Sequence, residues 1–426
     1  MDGSGDFKRA VTQALSDRGL SMRKAAKLMR YDQAYLSRVL NGTQCASKEL
    51  LAALDKLLAT VPPVNDSRHE CADIVEELAD LIGSDMDPSR RSIVNAGLAS
   101  SASLSVPRWD DTTARVTAVR GGQAQRVGMS DVEAVHKLTE QFWDLEARVG
   151  GRRARPPVAT FLQDTVIPYL RADGPEAVRS AMLSAAAQVC HMAGWMAVDD
   201  ELHGLADQYY KKSLELAKAA GDTQWYGTTL RTMGVQALKL NQHQRSVQLA
   251  DAAADVSLRS AAPRKRAFIL GCCAASAAGF GDRRKALDSF NVADRSLEQS
   301  EVDDASSGYG RPAQLQVLGY VQYYSGDLSG AIESLRGSNA LRPPERRRGR
   351  TEINLLLADR QFKAGRLDEA CATWQEVLTD YPYVRSGSTD KGVATMLKSI
   401  EPHLGNESAR DLHERARAEL PSSFWT

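Results

Sequence analysis

A chain of 426 residues is too long for one hydrophobic core, because single cores stop growing near ~250–300 residues, so at least two folding units are expected. The apolar fraction, 43%, is ample for burial, and 54 Lys and Arg balance 54 Asp and Glu. That balance excludes a chain coated in basic charge for indiscriminate binding to nucleic acid or membrane, so any DNA contact has to be local. The six cysteines (Cys45, Cys71, Cys190, Cys272, Cys273, Cys371) show neither CxxC spacing nor clustered histidines. No metal site and no disulfide framework is therefore expected, and a reducing cytoplasm is the natural location. The opening MDGSGDFKRA lacks the apolar core of a signal peptide, and the alanine-rich stretches 181–198 and 268–280 are not expected to span a bilayer, so no membrane partner is expected. Arg90-Arg91 and the small apolar residues after it imitate a twin-arginine export signal, but far from the chain start, which favours a linker or buried connection.

Residues 1–60 read as a small helical domain. A helix is expected over 6–18. Ser21 then caps a second helix that takes Ala25, Ala26 and Leu28 to the core, Asp32 caps a third over 33–41 that stops at Gly42, and Ser47 starts a fourth with Leu50, Leu51, Leu54, Leu57 and Leu58 on one side. In the third helix Leu36, Val39 and Leu40 share a face at i, i+3, i+4 spacing and must pack inward, leaving Gln33, Ala34, Tyr35, Ser37, Arg38 and Asn41 outward. A helix fits the major groove, where glutamine can pair with adenine and arginine with guanine, each good pair giving ~1–3 kcal/mol of discrimination. Ten basic residues face six acidic ones up to Thr60, a local excess suited to phosphate.

The run from Ser21-Met-Arg23-Lys-Ala-Ala26 to Tyr35-Leu-Ser37-Arg38-Val-Leu-Asn41-Gly42 resembles the lambda-repressor-like, or XRE, helix-turn-helix family. The resemblance implies that Gln33 begins the recognition helix and touches bases, while Tyr35, Ser37 and Arg38 meet bases or backbone. Ser21, Arg23, Arg30, Ala34 and Asn41 complete the candidate DNA-binding set. Arg30 departs from the pattern, standing where the family usually has glycine; a positive φ there carries a strain of ~1–3 kcal/mol. The plainer alternative is a helical bundle used for protein docking.

Between 61 and 129 a linker is expected, with one helix and an irregular segment. TVPPVNDS over 60–67 breaks the helical domain, since Pro-Pro does not continue a helix. Residues 70–82 carry an apolar stripe of Ile74, Val75, Leu78, Leu81 and Ile82, and 87–129 lacks periodicity. A helix is expected over 131–148 with Ser130 as its cap, followed by a solvated basic loop, Gly150-Gly-Arg-Arg-Ala-Arg-Pro-Pro157.

From 130 to 426 the chain repeats. Small residues Ala206, Ser246, Ala286, Ala331 and Ala370 recur at spacings of 40, 40, 45 and 39; each has a small residue twelve positions earlier (Gly194, Gly234, Ala274, Gly319, Ala358) and another small or β-branched one seven later (Ser213, Ala253, Ala293, Ser338, Val377). Two antiparallel helices need such a pattern where their backbones approach and the next pair stacks on them. Tyr210, Phe290, Leu335 and Trp374 at +4 fill the space between layers, Ala250 being the exception, and Gly281, Gly326 and Gly365 mark turns. The pattern resembles the tetratricopeptide repeat with lengthened helices, and such units are similar to the peptide-sensing Rap, Rgg and PlcR class of regulators. A last pair near 389–403 and 408–420 is expected to cap the stack, and 161–170 to precede the first pair. The whole is expected to be all-α, a lambda-repressor-like helix-turn-helix domain followed by a TPR-like α-solenoid, and resembles the XRE–tetratricopeptide regulators of actinobacteria.

In that family's geometry the concave, ligand-facing surface falls near His191, Trp195, Arg231, Gln316, Tyr320, Tyr323, Asp359 and Phe362, a mixture suited to a peptide or amphipathic small-molecule effector. The plainer reading makes the aromatics packing residues, His191 a hydrogen-bonded core histidine and Cys272-Cys273 small-residue packing. No phosphate loop, HExxH helix, GxSxG elbow or dinucleotide fingerprint is present, so no catalytic residue, cofactor or metal is expected. The expected function is a transcriptional regulator binding double-stranded DNA as a homodimer; the alternative is an interaction adaptor built on the repeats.

Overall fold

A computed structural model of the chain describes residues 11–12, 14–15, 20–41, 43–44, 46–60, 64–86, 126–300 and 309–425. Most of the helix expected over 6–18, Gly42, the Pro62-Pro63 pair and the twin-arginine-like run lie outside the described residues. The chain divides into two compact units, Met1–Glu77 and Leu78–Thr426.

In the first unit, α1 (Met22–Met29), α2 (Gln33–Leu40) and α3 (Lys48–Thr60) surround a core of Val11, Leu15, Leu20, Ala25, Ala26, Leu36, Leu50 and Leu54. The three caps expected at Ser21, Asp32 and Ser47 are all formed. Ser21 Oγ accepts from Lys24 N–H at 3.2 Å, Asp32 Oδ1 from Ala34 and Tyr35 N–H at 2.9 and 3.0 Å, and Ser47 Oγ from Leu50 N–H at 3.1 Å. Leu28, expected in the core, and Leu51, expected on one side with Leu50, Leu54, Leu57 and Leu58, both depart from expectation. Leu28 is 53% exposed because the buried stripe of α1 is Met22, Ala25, Ala26 and Met29, and Leu51 is exposed on the shoulder of the Leu50–Leu54–Leu57 stripe. Helix α2 stops at Leu40, with Asn41 as its C-cap. Helix α4 runs from Val64 to Met86, so residues 64–67, expected in a linker, are helical; proline just ahead of a first turn costs no helical hydrogen bond.

Among the described residues the regular structure of the second unit is helical apart from an isolated bridge between Arg126 and Asp173. After the end of α4 it comprises α5 (Met129–Val149), α6 (Gly151–Phe161), a π turn (Leu162–Val166) and α7 (Ile167–Arg171). Gly128, not Ser130, caps α5, with the Asp131 carboxylate accepting the Gly128 N–H at 2.8 Å. The basic segment expected to be a solvated loop is the helix α6, which contains Pro156 and Pro157 and buries Ala154 and Val158. Its arginines hold it in place. Arg152 pairs with Asp200 at 2.6 Å and Asp390 at 2.7 Å, and Arg155 pairs with Asp85.

Five antiparallel pairs follow: α8 (Glu176–Asp199) with α9 (His203–Ala220), α10 (Thr223–Lys239) with α11 (His243–Ser257), α12 (Pro263–Phe280) with α13 (Arg283–Glu298), α14 (Arg311–Tyr324) with α15 (Leu328–Ala340), and α16 (Arg347–Lys363) with α17 (Leu367–Asp380); α18 (Gly387–Ile400) and α19 (Glu407–Glu419) end the array, α19 packing mainly on α17 rather than on α18. Every one of the small residues read from the repeat is buried. A Cβ on Gly194 would stand 2.6 Å from the Tyr210 ring, and one on Gly319 3.0 Å from Leu335 Cγ, which is why those two large +4 residues face glycine; Phe290 and Trp374 belong to repeats with alanine there. Beside Ala250 the contact is with backbone instead, 3.5 Å from the nitrogen. All five turns within these repeats place a left-handed residue five positions before the small one. Gly281, Gly326 and Gly365 have φ of 95, 86 and 74°, and Glu201 and Asn241 reach 59 and 57° without glycine. Helix α8 is long and apolar enough to cross a membrane by composition, and 72% of its apolar stretch is buried in the fold.

The start of the array meets the segment that follows its fifth pair. Arg385 donates its N–H to Val149 O at 2.7 Å and accepts from Arg152 N–H at 3.2 Å; Ser386 Oγ donates to Asp199 O at 3.0 Å. Glycine permits the approach, since a Cβ on Gly387 would lie 2.7 Å from Asp200 C and one on Gly150 2.6 Å from Arg385 O.

Candidate functional site

The first candidate surface belongs to α2. Its underside, Leu36, Val39 and Leu40, is buried, while Gln33, Ala34 and Arg38 are exposed and Tyr35 and Ser37 half-buried. Arg38 Nε donates to Gln44 Oε1 at 3.1 Å, Tyr35 stacks on Tyr31 at 6.0 Å between centroids, and Asn41 Nδ2 donates to Ser37 Oγ at 3.4 Å. Arg23 and Arg30 are exposed on α1 and its end. Arg30 adopts φ 60°, ψ 38°, and its N–H bonds Lys27 O while Tyr31 N–H reaches Ala26 O at 2.9 Å, a Schellman close made without glycine. The resulting unit is helix, tight left-handed turn, helix, with the second helix presenting a polar face.

The second is a cavity of about 590 Å³ in the repeat array. Of the residues expected on the concave face, Trp195, Arg231, Gln316, Tyr320 and Asp359 line it together. The other three lie elsewhere. His191 is buried among the rings of Trp143, Tyr210 and Trp225, bonded to Thr232 Oγ1 at 2.9 Å, and burial pushes its imidazole down to about 3, so it stays neutral. Phe362 packs on Trp374 and His403. Tyr323 lies under the Arg360 guanidinium, 3.4 Å from its ring centre. Cys272 and Cys273 are buried, and desolvation raises both thiols, which keeps them unreactive at neutral pH.

Charged residues dominate what the sequence did not reveal in this lining. Arg348, buried on α16, meets Asp199 at 2.9 Å, Glu352 at 2.9 Å and Glu146 at 3.2 Å, and lies 4.9 Å from the Trp195 ring centre. Lys239 pairs with Glu352 at 2.5 Å. These contacts join the first, second and fifth pairs across the cavity. Burial alone would raise the Glu352 carboxyl, but the Lys239 ammonium and the Arg348 guanidinium hold it down to about 2. Glu146 goes the other way: desolvation outweighs Arg348, with Asp199 adding repulsion, and its carboxyl is pushed up to about 7. Such a network leaves no periodic trace, because only Arg348 and Glu352 are neighbours on one helix and every other pair in it joins residues more than a hundred positions apart.

Glu352 makes an acid-stability prediction. Its folded value lies below the ordinary 4.5, so the unfolded chain takes up its proton first as pH falls. The stabilisation is complete above about pH 4.5 and drains away towards pH 2. Glu352→Gln is expected to lower the urea midpoint at pH 7, with the gap to the parent narrowing steadily by pH 3; a gap that stays constant with pH would show that the carboxylate charge contributes nothing.

By its helix pairs the larger unit is an all-α helical-repeat array of the tetratricopeptide-like kind. No family model matches the sequence, and no curated protein matches it significantly. Among solved structures, the crystal structure of a Rap protein complexed with competence and sporulation factor is similar over 68% of this chain and 86% of that one, with a TM-score of 0.44 and 14% sequence identity. A likeness of that degree carries no argument about ligand or partner.

Proposed function

We propose that the protein is a sequence-specific DNA-binding transcriptional regulator whose repeat array receives an effector in its cavity and pairs two protomers. The observation that carries this reading is the capped helix Gln33–Leu40, held by a buried Leu36–Val39–Leu40 underside while Gln33 and Arg38 remain exposed on its polar face. In this reading the N-terminal turn of α2 enters the major groove, Arg23 and Arg30 approach phosphates, and a homodimer sets two such helices about one DNA turn, ~34 Å, apart. A peptide or a small molecule in the array then alters that spacing.

The test starts from duplexes selected by the full-length protein out of a random library. Gln33→Ala and Arg38→Ala are each expected to reduce affinity for the selected sequence by roughly ten- to a hundredfold, matching ~1–3 kcal/mol per base pairing, with non-specific binding unchanged. Undiminished sequence preference in both variants would refute the assignment. Affinity should also fall steeply with salt, as phosphate contacts require; a flat salt response would favour the adaptor that only docks through its N-terminal helices.

A further inference from the structure

We infer that the cavity of the array is a binding site for a compact organic anion, an amphipathic carboxylate whose charged end is taken by the guanidinium groups of Arg231 and Arg342. This deepens the effector half of the proposed function and rests on it only for its regulatory meaning. The volume, about 590 Å³, falls among ordinary small-molecule sites.

The charge pattern selects the ligand. Six cations, Arg231, Lys239, Arg342, Arg348, Arg360 and Lys391, line the cavity against three acids. All three acids are occupied: Asp199 by Arg348, Glu352 by Arg348 and Lys239, and Asp359 by Arg360 and Lys363. Lys391 pairs with Glu201. Arg231 and Arg342 are left with no carboxylate within ion-pair distance among the described residues, and the Nε of each is buried without an acceptor. Leaving buried guanidinium donors unmatched is costly unless something fills the space between them.

Both forks are held ready. Arg231 lies flat on the Phe268 ring, 4.0 Å from its centre, and Arg342 Nη2 donates to Gln316 Oε1 at 2.9 Å. An excess of positive field is felt nearby: burial and the Arg231 charge push the Lys265 ammonium down to about 8. Trp195, Phe268, Val317 and Leu356 supply the apolar wall for the ligand's body. The Arg348–Asp199 and Lys239–Glu352 pairs cross from one side of the array to the other within this lining, which bounds the space and favours a compact ligand over an extended chain.

The test titrates the full chain with dansylglycine, a compact fluorescent carboxylate, following its fluorescence, and with the methyl ester of the same molecule as a neutral match. One equivalent of the acid is expected to bind, with the ester weaker by at least about tenfold, or ~1.4 kcal/mol. Arg231→Met and Arg342→Met should each weaken the acid by a similar factor and leave the ester unchanged, while Arg231→Lys keeps part of the preference. Equal binding of acid and ester, no binding of either, or acid affinity untouched in both methionine variants overturns the inference. Should Arg342→Met fail to fold, Arg231→Met, which strands no carboxylate, decides alone. A chain that binds selected DNA but not the carboxylate sinks this inference only, and one that binds the carboxylate but no DNA sinks only the regulator.

Discussion

Arg348→Met is expected to destabilise the repeat array by roughly 3–5 kcal/mol, the usual cost of removing one member of a buried ion-pair set. The methionine fills most of the space, so the loss is electrostatic. Asp199, Glu146 and Glu352 would remain in place, with Glu146 and Asp199 stranded beside each other in the interior. Glu146 already holds its proton up to about 7 with the arginine present, because desolvation outweighs the attraction. Thermal unfolding followed by circular dichroism should show a fall of roughly 5–10 °C. Adding Glu146→Gln and Asp199→Asn to the same chain should recover part of it, since neutral partners no longer pay for burial. A single variant that melts with the parent would mean that the network adds nothing to stability.

Gly150→Ala should be comparably damaging for a different reason. Gly150 sits at φ 83°, ψ 166°, a region open essentially to glycine alone, where a side chain adds ~1–3 kcal/mol of strain. Its Cβ would also press on the Arg385 carbonyl at 2.6 Å, and crowding of backbone in a packed interior adds roughly 1–3 kcal/mol more. The Val149–Arg385 hydrogen bond and the Arg152 bridge to Asp390 are the contacts expected to open. Hydrogen exchange of the Arg385 amide reads this directly: exchange in the variant as slow as in the parent would show that the junction tolerates the methyl group.

The parts of this molecule that could be read in advance are those set by local spacing. Helix starts at Ser21, Asp32 and Ser47 follow from one side chain reaching forward two or three residues to accept a backbone N–H, and the fifteen repeat positions follow from close backbone approach, which admits only small or slim side chains at fixed intervals. Leu28 is apolar but falls off the Met22–Ala25–Ala26–Met29 face of its helix, and apolar character alone does not mark that. The segment 150–157 read as a loop because two prolines and three arginines argue for solvent. What holds it helical is Asp85, Asp200 and Asp390, acids that no local pattern connects to it. The cavity shows the same division. Its aromatic and amide members, Trp195, Gln316 and Tyr320, were legible from their position in the first helix of a pair; Arg348 and Glu352 share such a position, but their roles come from partners in other repeats, and Arg342 lies ahead of α16, where no helical spacing marks it.

The junction between Arg385–Gly387 and residues 149–200 has a bearing on how the array comes apart. In an open stack of repeats each unit answers only to its neighbours, so unravelling begins at a free flank and creeps inward. Here the flanks of the first five units are fastened to one another, and no unit among them can peel away without first releasing that clasp. Loss of structure should therefore arrive as one concerted event over those units, and whatever loosens the clasp loosens every wall of the chamber they enclose.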